Sequence, residues 1–167
     1  MGKEIEHKFL VTSDKFKALA TPTYYCQGYI PTLNGMTVRI RIAGSQGYVT
    51  FKDHAINLTR YEFEYPIPVE DAQQLLLLMC AQPQIQKHRY VIPAPDGQLP
   101  DGSQVSGLHW EVDVFGGDNE GLIVAEIEVP TEDTHFELPD WIGEEVTGDH
   151  RYYNSALCKH PYKEWGV

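Results

Sequence analysis

Charged side chains recur at every second position in six strand-like stretches of this chain, and that alternation constrains the fold more than any other feature. The first stretch, Glu4-Ile5-Glu6-His7-Lys8, sits almost at the N-terminus. Side chains of a strand alternate between two faces, so Glu4, Glu6 and Lys8 share one face, and Ile5, His7 and Phe9 share the other. Arg39-Ile40-Arg41, Glu62-Phe63-Glu64, Lys87-His88-Arg89, Glu111-Val112-Asp113 and Glu126-Ile127-Glu128 repeat the pattern, mostly with one sign per stretch, and Thr50-Phe51-Lys52 adds one lysine. An antiparallel sheet with one wet face also alternates polar and apolar residues. Such faces usually mix Thr, Ser, Gln and Lys, whereas here Glu, Asp, Lys and Arg dominate. A closed barrel whose charged faces point inward explains both the repetition and the separation of signs.

The coarse element order supports a mainly β, α+β fold. An eight-stranded antiparallel closed barrel with a charged interior and flanking helices is expected. Strands are expected over about 3–10, 24–30, 36–42, 48–52, 58–66, 84–92, 107–115 and 122–130. Asn34-Gly35 marks a tight turn between the second and third. A short helix is expected over 14–20, capped by Thr12 or Ser13. The period changes at Val69–Cys80, a helix with Glu70 and Asp71 in its first turn. Its four consecutive leucines, Leu75 to Leu78, imply a helix largely covered by the rest of the protein. Residues 93–106 read as an exposed loop, and the tail holds short helices, including 152–159.

At 167 residues the chain is expected to form a single domain, 1–167. No apolar run reaches the roughly 20 residues that span a bilayer, and the charged start is unlike a signal peptide. Cys26, Cys80 and Cys158 show neither metal-ligand nor disulfide spacing, which fits reduced thiols in a cytoplasmic protein. The net charge of −11 argues against a nucleic-acid surface. Seven of the thirteen Lys and Arg residues nevertheless fall where they could face one interior. That combination suits a small polyanion arriving with metal. The expected partner is a small-molecule triphosphate, with no nucleic acid and no membrane, and a monomer or homodimer is expected.

The Glu4-Ile5-Glu6-His7-Lys8 stretch resembles the ExExK signature of the CYTH superfamily, the triphosphate tunnel metalloenzymes. Gln27-Gly28-Tyr29, the charged stretches above and His150-Arg151 follow in the family's order. The set is similar in particular to compact bacterial members that hydrolyse inorganic tripolyphosphate. The resemblance implies an eight-stranded tunnel in which metal-activated water attacks a terminal phosphorus and diphosphate leaves. It implies Lys8, Glu4 and Glu6 as catalytic groups. It implies Lys8, Arg39, Arg41, Lys52, Lys87, Arg89 and Arg151 as phosphate ligands, since guanidinium forks and ammonium groups suit phosphate oxygens. Glu4, Glu6, Asp113, Glu126 and Glu128 would hold Mg²⁺ or Mn²⁺, which take oxygen ligands. Tyr29, Glu62, Glu64 and Glu111 are further candidates. An organic-triphosphate enzyme (a class IV adenylyl cyclase or thiamine triphosphatase) and a non-catalytic polyphosphate-binding module are the alternatives.

Overall fold

A computed structural model describes residues 5–53 and 61–166. The elements run β1 (Ile5–Val11), β2 (Thr23–Ile30), β3 (Thr37–Ala43), β4 (Gln46–Lys52), β5 (Glu62–Ile67), α1 (Val69–Leu78), β6 (Ile85–Pro93), β7 (Gly97–Gln98), β8 (Gln104–Val105), β9 (His109–Phe115), β10 (Ile123–Val129), β11 (Ile142–Glu145) and α2 (Asn154–Lys159). Eight of these strands occupy the expected stretches, of which residues 3–4 and 58–60 lie outside the described residues. β7 and β8 form a separate small hairpin inside the expected loop. The expected helix after β1 is a single 3-10 turn, Lys15–Ala18, without a side-chain cap. Asn34 and Gly35 both take positive φ, as a tight hairpin turn requires.

Two corrections concern the sheet. It has nine strands, in the order β11-β1-β10-β9-β6-β2-β3-β4-β5, and every pairing is antiparallel. Among the described residues it is also not a closed barrel. The physical reason is the same for both. β1 is the strand that would have to meet β5. One edge of β1 is taken by β10, through Ile5↔Val129 to Leu10↔Val124, and the other by β11. β5 therefore stays an edge, and its Glu62, Glu64 and Pro66 suit that place, because charge and proline discourage further pairing.

The apolar faces are covered in two separate places. Behind β1, β9 and β10, Phe9, Trp110, Val112, Ala125, Ile127 and Val129 pack with Phe16 and Trp141. Behind β2, β3 and β4, Ile40 packs with Ala72, Leu76 and Cys80 of α1 and its C-terminal turn. α1 approaches closely: a Cβ on Gly47 would lie 2.9 Å from that of Ala72. The four leucines are not covered as expected. Leu76 is buried, but Leu77 is 71% exposed and Leu78 is 70% exposed. A helix lying on one sheet face buries one stripe, and consecutive residues point in different directions around its axis.

A third cluster lies on the charged side of the sheet. There Ile85, Phe115, Leu122 and Val124 pack with Val146, Tyr152 and Leu157. The C-terminal segment thus seals one end of the face that carries the charges.

Candidate functional site

The register places the expected charged residues on one side of the sheet. Glu6 faces Glu128, and Lys8 faces Glu126. Arg89 faces Asp113, Gln27 faces Arg41, and Arg39 faces Thr50. This side is not a wet face. Lys87 is 1% exposed, Asp113 3% and Lys8 8%, while Gln27 and Thr50 are wholly buried. Buried ions persist only when paired and hydrogen-bonded, and the pairing here follows the strands.

The deepest group is a clamp around Asp113. It accepts from Arg89 Nε at 2.8 Å and Arg89 Nη2 at 2.9 Å. Lys87 Nζ lies 2.9 Å from its second oxygen and also donates to Asn154 Oδ1 at 3.0 Å. Burial alone would push the Asp113 carboxyl up, but Lys87 and Arg89 hold it well below the usual carboxylate range. Burial drags Lys87 down to about 8 despite Asp113. Burial also works against Arg89, yet its bonds to Asp113 and its pairing with Glu111 hold it above the ordinary guanidinium value.

Next to the clamp, Arg41 Nε donates to Gln27 Oε1 at 2.8 Å. Among the described residues no carboxylate forms an ion pair with Arg41. Burial, with Arg39 and Arg89 nearby, lowers its pKa to about 10. Arg39 Nη2 reaches Thr50 Oγ1 at 3.1 Å and Glu64 Oε1 at 3.3 Å. Lys52 lies 3.8 Å from Glu62. Tyr29 is largely buried beside Gln27, whose Nε2 donates to its hydroxyl at 3.4 Å.

The acidic end is built on β1 and β10. Lys8 Nζ lies 3.2 Å from Glu126 Oε1 and 4.7 Å from the centre of the Tyr153 ring. Burial opposes ionisation of Glu126, but Lys8 and a hydrogen bond with Glu6 keep its pKa below the ordinary value. Glu6 and Glu128 stand exposed at the rim. Glu4 lies outside the described residues. Directly opposed carboxylates such as Glu6 and Glu128 repel unless a cation joins them. Among the described residues no three His, Cys, Asp or Glu side chains gather as a ready metal cage. Mg²⁺ and Mn²⁺ do not require one: Mg²⁺ is commonly held by one or two carboxylates together with substrate phosphates. The hard oxygens of Glu6, Glu126 and Glu128 fit that kind of site.

Arg151 is the expected member that the structure keeps apart. Its side chain is 62% exposed and is tied to Asp149 at 2.7 Å, with its guanidinium over Trp165. Sequence reasoning missed Tyr25, Thr50, Tyr153 and Asn154 as neighbours of the cluster. Parity could have found the first two, which lie two residues from Gln27 and Lys52. Tyr153 and Asn154 arrive on the C-terminal segment, where strand parity has no meaning.

The family model of the CYTH domain matches residues 2–156. The chain belongs to the CYTH family. An inorganic triphosphatase of Acetivibrio thermocellus is 47% identical over 165 residues, covering 99% of both chains. One from Nitrosomonas europaea is 37% identical over 159 residues, covering 93% of this chain and 96% of that one. Among solved CYTH-like folds, a crystal structure of an inorganic triphosphatase aligns with a TM-score of 0.65 at 33% identity, covering 95% of each chain. In this CYTH chain a row of cations and a group of carboxylates share one face of the sheet. Among the described residues no helix is long and apolar enough to cross a membrane.

Proposed function

We propose that this CYTH protein is a divalent-metal-dependent hydrolase that cleaves inorganic tripolyphosphate to diphosphate and phosphate, with residues 1–167 acting as one domain. The observation that carries the reading is the row of half-buried Arg41 and Arg89 with buried Lys87, on the same sheet face as Glu6, Glu126 and Glu128. The names of the two relatives support the same activity. Tripolyphosphate is a short rod of negative charge, and a row of cations along one face complements its length.

In this reading Arg39, Arg41, Lys52, Lys87 and Arg89 bind phosphate oxygens. Asp113 holds Lys87 and Arg89 in place. Glu6, Glu126 and Glu128, with Glu4, hold Mg²⁺ or Mn²⁺. A cation bound there would neutralise phosphate charge and acidify a neighbouring water. Lys8, fixed by Glu126 and Tyr153 at the junction of the two regions, stabilises charge on the phosphoryl group being transferred. The bond broken is phosphorus to bridging oxygen, and diphosphate departs with that oxygen.

The test is phosphate release from tripolyphosphate, thiamine triphosphate and ATP, with Mg²⁺, Mn²⁺ or a chelator. Release from tripolyphosphate that chelation abolishes is expected. Its absence with every metal refutes the proposal, and preference for an organic triphosphate reassigns the substrate. Glu6→Ala and Lys8→Ala should each abolish turnover with the circular dichroism spectrum preserved. Wild-type turnover in either would remove that residue from the mechanism.

A further inference from the structure

One aromatic ring stands among three of the cations. Tyr25 lies on β2, on the same side as Gln27, with Lys87 opposite it on β6. Its ring centre is 4.8 Å from Arg89 Cζ, 5.1 Å from Arg41 Cζ and 5.9 Å from Lys87 Nζ. The three cations come from two strands, β3 and β6, that flank β2 in the sheet.

Gathering three like charges in a half-buried space is unfavourable, and something must hold them together before an anion arrives. Asp113 serves Lys87 and Arg89. Arg41 has only the neutral Gln27 oxygen and this ring, among the contacts of the described residues. A carboxylate at position 25 would hold Arg41 too, but it would cancel the charge that a polyanion needs. An aromatic face attracts cations through its quadrupole and carries no net charge. It can therefore assemble the cluster and leave its positive charge available.

We propose that Tyr25 is a positioning residue whose ring face gathers Arg41, Lys87 and Arg89 into a preassembled polyphosphate-binding cluster. The proposal rests on the tripolyphosphate reading above. It assigns the work to the ring and none to the phenol hydroxyl.

The test replaces Tyr25 by Phe, by Leu and by fluorinated phenylalanines. Added fluorines weaken the negative ring face and nearly preserve its shape, so these variants keep the test decisive if Tyr25→Leu fails to fold. Two readouts are compared: the Kd for tripolyphosphate measured calorimetrically in chelator, and KM against kcat with Mg²⁺. Tyr25→Phe should stay within about threefold of wild type, and pentafluorophenylalanine or Leu should weaken binding by about tenfold or more. The change should fall on Kd and KM more than on kcat. In an Arg41→Gln background the Tyr25→Leu penalty should shrink, because the partner is gone. Equal binding across the fluorinated series overturns the proposal, as does a Phe variant as impaired as Leu. A wild-type protein that neither binds nor hydrolyses tripolyphosphate overturns the functional reading as well, whereas firm wild-type binding with a flat series overturns this inference alone.

Discussion

Replacing Asp113 by Asn preserves the shape of the side chain and deletes its charge, which isolates what that charge does. Asp113 accepts two bonds from Arg89 and one contact from Lys87, all between 2.8 and 2.9 Å, at 3% exposure. Lys87 sits at about 8 against 10.5 for a free lysine, so keeping it charged in the fold at neutral pH already costs roughly 3 kcal/mol. Without Asp113 its pKa falls further and the proton leaves at pH 7. Deprotonation limits the total cost of Lys87 to roughly 5 kcal/mol at that pH, an increase of roughly 1–2 kcal/mol. Arg89 stays charged and keeps Glu111, but loses its bidentate partner, worth roughly 1.5–3 kcal/mol. The expected loss is about 3–5 kcal/mol, the usual cost of breaking a buried ion pair from one side. Urea unfolding at pH 7 should show it as a lowered midpoint with an unchanged slope. Added phosphate should restore part of the loss, because it supplies the missing negative charge. A loss below about 1 kcal/mol would show that Asp113 is not the anchor of the two cations.

The depressed Lys87 pKa also sets a pH dependence. The charge is present below about 8 and lost above it, so kcat/KM for tripolyphosphate should fall as pH rises through about 8. The stability effect has the opposite sign: the cost of the buried ammonium is present below about 8 and is relieved as pH climbs toward 10.5. A flat kcat/KM profile to pH 9.5 would contradict this assignment. On α1, Leu76→Ala should cost about 2–5 kcal/mol and Leu77→Ala about 0.5 kcal/mol or less, measured by urea unfolding; equal costs would contradict the burial pattern. Arg41→Ala should raise KM at least about tenfold, and Arg151→Ala less than about threefold, in steady-state kinetics. The reverse order would mean that the C-terminal segment swings Arg151 into the site during turnover.

The charged strands were legible because a two-residue period leaves few ways to arrange Glu6 with Lys8 or Lys87 with Arg89. β11 was not legible: Ile142-Gly143-Glu144-Glu145 has no alternation and joins a neighbour 130 or more positions earlier. That one addition leaves the sheet open. The leucine run misled because composition reports hydrophobicity and not which side of a helix finds cover. Arg151 was grouped with the phosphate ligands by resemblance, yet Asp149, two residues away, satisfies it locally. Asp113 was expected to hold metal, and its cationic surroundings could be seen only once β6 and β9 were paired.

Lys8 is bracketed by the far end of the chain: its amide donates to Thr147 Oγ1 at 2.9 Å, and its carbonyl accepts from the Val146 amide at 2.7 Å. On the ribosome, β1 must therefore wait until residues up to 147 have been made before all its neighbours exist. A strand with alternate ionic side chains tolerates that delay, since it is poorly suited to self-association while unpaired. Turnover should accordingly begin only after residues 142–147 have emerged and docked, which makes any truncation that removes them a perturbation of His7 to Val11.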